Sequence, residues 1–352
     1  MPSDPALRRR TGIALVLWLP ILTGGLVGHV ADRSLLGALL LMAEPLAVVI
    51  ALWGTASLLW RREIPLGLGL GLGSTAAIAL LHMPPTPVAP PATRPDWATG
   101  LRACAAFPKP GEGPVRLAQW SLDAGQVPTV DRLAEIGGEA DLVVLQGTAD
   151  ATPGQTLARV MGGEARFYPP NAQGEAGMTL VARGSFQPCG ADEDSWGLEL
   201  PAAEGHLARA VVTFPRIEGV GTFPLLALRM DPLHGPATWA GFPGRLDESG
   251  RRLAAVVQAI DASRLVVVGD FGVPPSFRHL AGRLSGAGLS EQALPPSWPA
   301  RLGPLRALPL HRLDRVWTGR SWQGGDARVL SPDQGSRTPI LLTLRPELMQ
   351  AR

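Results

Sequence analysis

Hydrophobic and polar positions alternate along this chain in two different ways. Before about Pro85 the apolar residues form long runs almost free of charge, and beyond about Arg116 they form short runs broken by glycine and proline. The first pattern has the length of membrane spans, since about 20 apolar residues cross the hydrocarbon core as a helix. "TGIALVLWLPILTGGLVGHV" (residues 11–30) contains no Asp, Glu, Lys or Arg, and two further runs follow at residues 35–60 and 65–83. Three transmembrane helices are therefore expected within residues 1–83. The first run is too long for a signal peptide, lacks a small-x-small cleavage site and leads at once into another span.

Arginines set the expected orientation. Arg8, Arg9 and Arg10 share a side with Arg61 and Arg62, while the intervening loop holds only Asp32 and Arg33. The excess of positive charge places the N-terminus in the cytoplasm, so everything after Met83 is expected outside a cytoplasmic (inner) membrane. Glu44, next to Pro45, is read as reaching the interface. Gly67, Gly69, Gly71 and Gly73 alternate with leucine and allow a neighbouring helix backbone to approach closely. "PPTPVAPPATRP" (residues 84–95) has the composition of an extended spacer within a linker over residues 84–110.

The second pattern predicts a globular domain over residues 111–352. "VRLAQWSL", "DLVVLQ", "GMTLVA", "LARAVVTF", "FPLLALRM", "RLVVVGDF", "DRVWTG" and "PILLTL" have the β-branched, apolar character of strands. "VPTVDRLAEIGG" reads as a helix capped by Thr129 and stopped by glycine, and "DESGRRLAAVVQAID" as one presenting Leu253, Val256, Val257 and Ile260 on one face. Many strands with few crossovers predict an α+β layered fold.

Composition adds limits more than identity. The chain is 46% hydrophobic and 18% charged, with a net charge of +2. Its arginines are scattered and form no basic run, so there is no clear nucleic-acid signal. Cys104 and Cys189 match no zinc or CxxC spacing, and whether they pair is open.

The order of "VRLAQWSLDAG", "DLVVLQG", "LLALRMDPL", an Arg-containing helix, "VVVGDFGVPP", "SWP", "HRLDRVW" and "GSRTPILLTL" resembles the endonuclease/exonuclease/phosphatase superfamily from about Arg116 to Leu344. Membrane-anchored members with a few N-terminal spans are especially similar. The resemblance implies a four-layer α/β/β/α sandwich, two face-to-face sheets flanked by helices. It also implies metal-dependent hydrolysis of phosphomonoesters or phosphodiesters at loops leaving the strand ends.

Such chemistry needs a divalent cation with oxygen ligands, a group to orient water and donors for the phosphoryl oxygens. Against the family pattern, Ser121 stands at an Asn position, and Gly147 follows Gln146 where the principal metal carboxylate belongs. Arg229 falls near a histidine, Gly272 replaces the Asn of Gly-Asp-x-Asn, and Ser336-Arg337 replaces an Asp-His pair. Asp270 and Asp314 are retained. His234 lies too far along to substitute.

The resemblance therefore leads to a membrane-anchored pseudoenzyme acting as a binding or scaffolding module, with no cofactor. Gln146, Arg229 and Arg337 are its candidate contacts to a phosphate-bearing ligand, since guanidinium groups hold phosphate without metal. The alternatives are a structural partner for another membrane protein, and an active phosphodiesterase or phosphatase using Mg2+ or Mn2+. In the active case Asp270 is catalytic, supported by Asp123, Asp231 and Asp314. The bland reading of Asp270, shared by Asp141, Trp298 and Asp314, is a structural one, with the Asp270 carboxylate capping the turn that follows it.

Overall fold

A computed structural model of the chain describes residues 53–56, 59–60, 71–72, 111, 113–123, 126–170, 177–188, 197–199, 209–230, 242–260, 262–272, 278–297, 313–330 and 337–347. The chain divides into two compact units, one of residues 1–86, 235–247 and 274–281 and the other of the remainder. In the first, the described residues before 73 are helical. Trp53, Leu59, Trp60 and Leu72 expose their apolar side chains there. A Cβ on Gly71 would lie 3.3 Å from Thr55 Cγ2, so this glycine does permit a close approach. Among the described residues no helix is long and apolar enough to cross a membrane. Most of the three expected spans, and the linker up to residue 110, lie outside the described residues.

The second unit is a mixed α+β fold. It begins with β1 (Val115–Ser121), α1 (Val130–Glu139), β2 (Leu142–Thr148), α2 (Thr152–Met161), β3 (Glu164–Tyr168) and β4 (Gly177–Ala182). Short strands β5 (Gly184–Phe186) and β6 (Gly197–Glu199) precede β7 (Arg209–Thr213), β8 (Pro215–Ile217), β9 (Gly221–Thr222) and β10 (Leu225–Arg229). Then come α3 (Phe242–Ala259), β11 (Val266–Asp270), α4 (Arg278–Gly286), β12 (Ser290–Glu291), β13 (Asp314–Thr318), β14 (Trp322–Val329) and β15 (Ile340–Pro346), with residues 242–247 of α3 and 278–281 of α4 belonging to the first unit.

Two six-stranded sheets result, in the orders β14-β15-β1-β2-β4-β3 and β12-β13-β11-β10-β7-β6, with β5-β8-β9 as a small third sheet. Each large sheet contains one parallel pair, β1 with β2 and β10 with β11, and in each case a helix lies between the two strands in sequence. Parallel strands need such a crossover.

Strand alternation explains the layering. Val115, Leu117, Leu142, Val144, Leu180 and Leu342 of one sheet share a single apolar cluster with Leu225, Ala227, Val266, Val268 and Val316 of the other. The intervening residues Ala118, Trp120, Val143, Leu145 and Val181 instead meet Leu133, Ile136, Leu157 and Met161 of α1 and α2. Period-two sequence thus delivers one face of the first sheet to the second sheet and the other face to helices.

Thr129 caps α1 by accepting from the Arg132 amide at 3.3 Å. The expected glycine stop is not where the helix ends, because Gly137 and Gly138 lie inside α1 and Ala140 is its C-cap. Gly137 has a packing role instead: a Cβ there would come within 2.9 Å of Val160 Cγ1 on α2. Leu253, Val256, Val257 and Ile260 are buried, as the spacing in α3 requires.

Candidate functional site

The polar residues of interest lie at one end of the two sheets. Register places Arg209, Arg229, Asp270 and Asp314 side by side across β7, β10, β11 and β13. In the other sheet Ser121 lies opposite Gln146. Alternation gives each of these the same orientation as the inter-sheet core residues two and four positions away, such as Val266 and Val268 before Asp270. The site is therefore the continuation of the inner faces past the end of their apolar filling.

Hydrogen bonds tie the two rows together. The Gln146 side chain, fully buried, accepts from the Asp270 amide at 3.0 Å and donates from Nε2 to the Leu228 carbonyl. One amide from β2 thus satisfies backbone groups on both β10 and β11. A Cβ on Gly269, which has φ +154°, would meet the Leu228 carbonyl oxygen at 1.7 Å and Gln146 Nε2 at 2.8 Å. Only glycine lets Gln146 reach its partners.

Asp314 collects three donors from two segments. Its Oδ1 accepts from the Ser121 hydroxyl at 2.7 Å and from Gln119 Nε2 at 3.4 Å, and its Oδ2 accepts from the Ser297 hydroxyl at 2.7 Å. The Ser121 proton is committed to this charged acceptor, which makes its 3.2 Å contact with Gln146 Oε1 the weaker one. Asp270 Oδ1 accepts from the Gly272 amide at 2.8 Å, closing the turn after β11. Gly272 has φ +63°, the left-handed region that glycine adopts without strain, and presents no side chain to the site.

Arg337 completes the cluster. Its Nη2 lies 2.8 Å from Asp270 Oδ2 and its Nη1 3.9 Å from Asp314 Oδ2, and all three side chains are buried. Burial raises the Asp270 pKa, and the Asp314 charge pushes the same way, while Arg337, Arg229 and the Gly272 amide oppose the rise. Burial also disfavours the charged guanidinium of Arg337. The fields of Asp270 and Asp314, with help from Asp123, outweigh that and raise the Arg337 pKa above its ordinary value.

The residues do not fit a divalent cation. The carboxylate oxygens are directed at Ser121, Ser297, Gly272 and Arg337 rather than at one open centre, and among the described residues no group of three or more His, Cys, Asp or Glu could hold a metal ion. Gly147 supplies no ligand and has no room for one. It sits at φ +89° in a break of the β2–β4 register, where a Cβ would come 2.5 Å from the Leu122 carbonyl oxygen and 2.6 Å from Arg229 Nη1.

Of the sequence candidates, the fold thus brings together Ser121, Gln146, Gly147, Arg229, Asp270, Gly272, Asp314 and Arg337. Asp123 contributes its field to Arg337. Asp141 does not join them: it binds Arg116 at 2.9 Å and Arg183 at 3.3 Å, at the start of β2. Asp231, His234, Trp298, Ser336, Cys104 and Cys189 lie outside the described residues. Gln119 is not among the sequence candidates, and Ser297 enters only as the first residue of the "SWP" block. Gln119 had a signal, a polar residue at an inward position of a core strand, whereas Ser297 precedes β13 in an irregular stretch that has no periodicity.

No family model matches the sequence. A search of curated proteins also finds no match. Among solved structures the chain is similar to an endonuclease/exonuclease/phosphatase from Beutenbergia cavernae, with 16% identity and a TM-score of 0.47, covering 66% of this chain and 72% of that one. It is also similar to a 3'-5' exonuclease from Neisseria meningitidis, at 15% identity and a TM-score of 0.46, covering 66% of this chain and 100% of that one. An endonuclease/exonuclease/phosphatase from Bacteroides vulgatus shares 14% identity with a TM-score of 0.46, covering 67% of this chain and 100% of that one.

Proposed function

We propose that this chain is a membrane-anchored protein whose outer domain has the four-layer endonuclease/exonuclease/phosphatase architecture but is impaired in metal-dependent phosphoester hydrolysis, and serves as a binding or scaffolding module. The observation that carries this reading is the buried ion pair between Arg337 and Asp270. A group that must orient a water beside a metal is instead neutralised by a guanidinium, and Gly147 has neither a ligand nor space for one. The ordered sequence blocks, falling near successive strand ends, support the architecture, in which α3, between the parallel strands β10 and β11 in sequence, would supply the fourth layer. The outward apolar side chains of Trp53, Leu59, Trp60 and Leu72 support the anchor.

Arg229, half-buried at the end of β10 and near enough to Asp270 to act on its carboxyl, is the contact through which a phosphate-bearing ligand would be met. The purified full chain should therefore show no turnover of bis(p-nitrophenyl) phosphate with Mg2+ or Mn2+ above that of Asp270→Ala. Turnover abolished both by chelator and by Asp270→Ala would overturn the proposal and establish an active enzyme with relocated ligands. Retention in the membrane fraction after alkaline carbonate washing is expected, and release would remove the anchor.

A further inference from the structure

We infer that Arg337 is the resident counter-ion of the strand-end cluster: its guanidinium takes over the electrostatic work of a divalent cation, and its presence keeps such a cation out. The inference rests on the architecture proposed above only for the comparison with a metal. The rest follows from charge and geometry.

Asp270 and Asp314 are both buried to within 1% of complete coverage, so two adjacent carboxylates there need positive charge. Arg337 reaches one at 2.8 Å and the other at 3.9 Å, and Asp123 adds a third negative field to the same guanidinium. Mg2+ and Mn2+ seek about six oxygen ligands around one centre. Here the remaining carboxylate oxygens already accept from the Ser121 and Ser297 hydroxyls and the Gly272 amide. Oδ2 of Asp270 faces Arg337 itself. A metal would have to expel a buried guanidinium that is held at 2.8 Å by Asp270 and lies in the field of Asp314 before it could bind. An arginine cannot be made to leave by deprotonation, since its pKa is raised still further by these neighbours.

Removing the guanidinium frees Asp270 Oδ2 and leaves two buried carboxylates without a counter-charge, so a cation is expected to take its place. The test is Mn2+ titration followed by electron paramagnetic resonance on the purified full chain. Wild type should leave the Mn2+ signal free, Arg337→Ala should take up about one ion per chain, and the double variant Arg337→Ala with Asp270→Asn should lose that uptake. Mn2+ binding by wild type that Asp270→Asn abolishes would overturn the inference, and so would a folded Arg337→Ala that takes up none. If Arg337→Ala fails to fold, it is expressed and refolded with Mn2+ present. Recovery only with the ion supports the inference, and failure with it counts against it because the cation then does not replace the guanidinium. Phosphodiester turnover by wild type that survives chelation would refute the functional proposal and leave this inference standing.

Discussion

The two parallel units, β1–α1–β2 and β10–α3–β11, end at the same site with opposite chemistry. The first finishes in Ser121, Gln146 and Gly147, which carry no charge, and the second in Arg229 and Asp270, beside Asp314. Charge buried in the second sheet is stabilised by neutral donors from the first, chiefly Ser121 and Gln119 on Asp314, and by Arg337. The neutral unit therefore acts through hydrogen-bond geometry, which tolerates little displacement. The charged unit acts through fields, which reach farther, and Asp123 in the β1–α1 connection of the first unit adds its own field at Arg337.

The difference can be broken at its glycine first. Gly269→Ala would drive a Cβ into the Leu228 carbonyl at 1.7 Å, against backbone that cannot yield without parting β10 from β11. A loss of more than about 4 kcal/mol, or failure to fold, is expected from denaturant melts. Next in size is Arg337→Ala, which leaves the Asp270 carboxylate buried without its partner and should cost about 3–5 kcal/mol by the same measurement. Arg337→Lys should recover only part, because one ammonium does not reproduce two arms of a guanidinium.

On the neutral side, Gln146→Leu strands the Leu228 carbonyl and the Asp270 amide, at about 1–3 kcal/mol for each group left unpaired. If this equals or exceeds the loss in Arg337→Ala, the hydrogen-bonded unit is the more important of the two. The smallest effect is in pH dependence. A carboxyl whose pKa is raised by folding adds stability that is full below its unfolded value and is lost as pH rises through its folded value. Wild type should therefore lose stability relative to Asp270→Asn as pH rises from about 4. A difference that is flat in pH would show that Arg337 cancels the burial completely.

All eight apolar stretches singled out in the sequence are strands, because each is buried on at least one face of a large sheet. The strands it did not reveal are marginal in physical terms. β3 is only half-buried throughout, β14 after its buried Trp322 mixes exposed and half-buried positions with a pair of glycines, and β5, β6, β8, β9 and β12 have two or three residues each. Helix α2 was also missed, where a proline and a glycine in its first turn mask a good apolar face. At the site, Asp270, Gln146 and Ser121 were legible because a polar residue ending an apolar run is visible locally. The union of Arg337 with Asp270 was not, since it joins separate sheets across a long stretch of sequence. Periodicity carries no information about such a meeting.

The Gln146 side chain also works as a gauge of the gap between the sheets. Its amide presents a donor and an acceptor a fixed distance apart to two adjacent strands of the opposite sheet, so it measures both the separation of the sheets and their sliding. A carboxylate of the same size would keep the acceptor for the Asp270 amide but turn an oxygen toward the Leu228 carbonyl. The spacer would then become a wedge whenever that carboxylate is ionised, forcing this end of the sandwich apart.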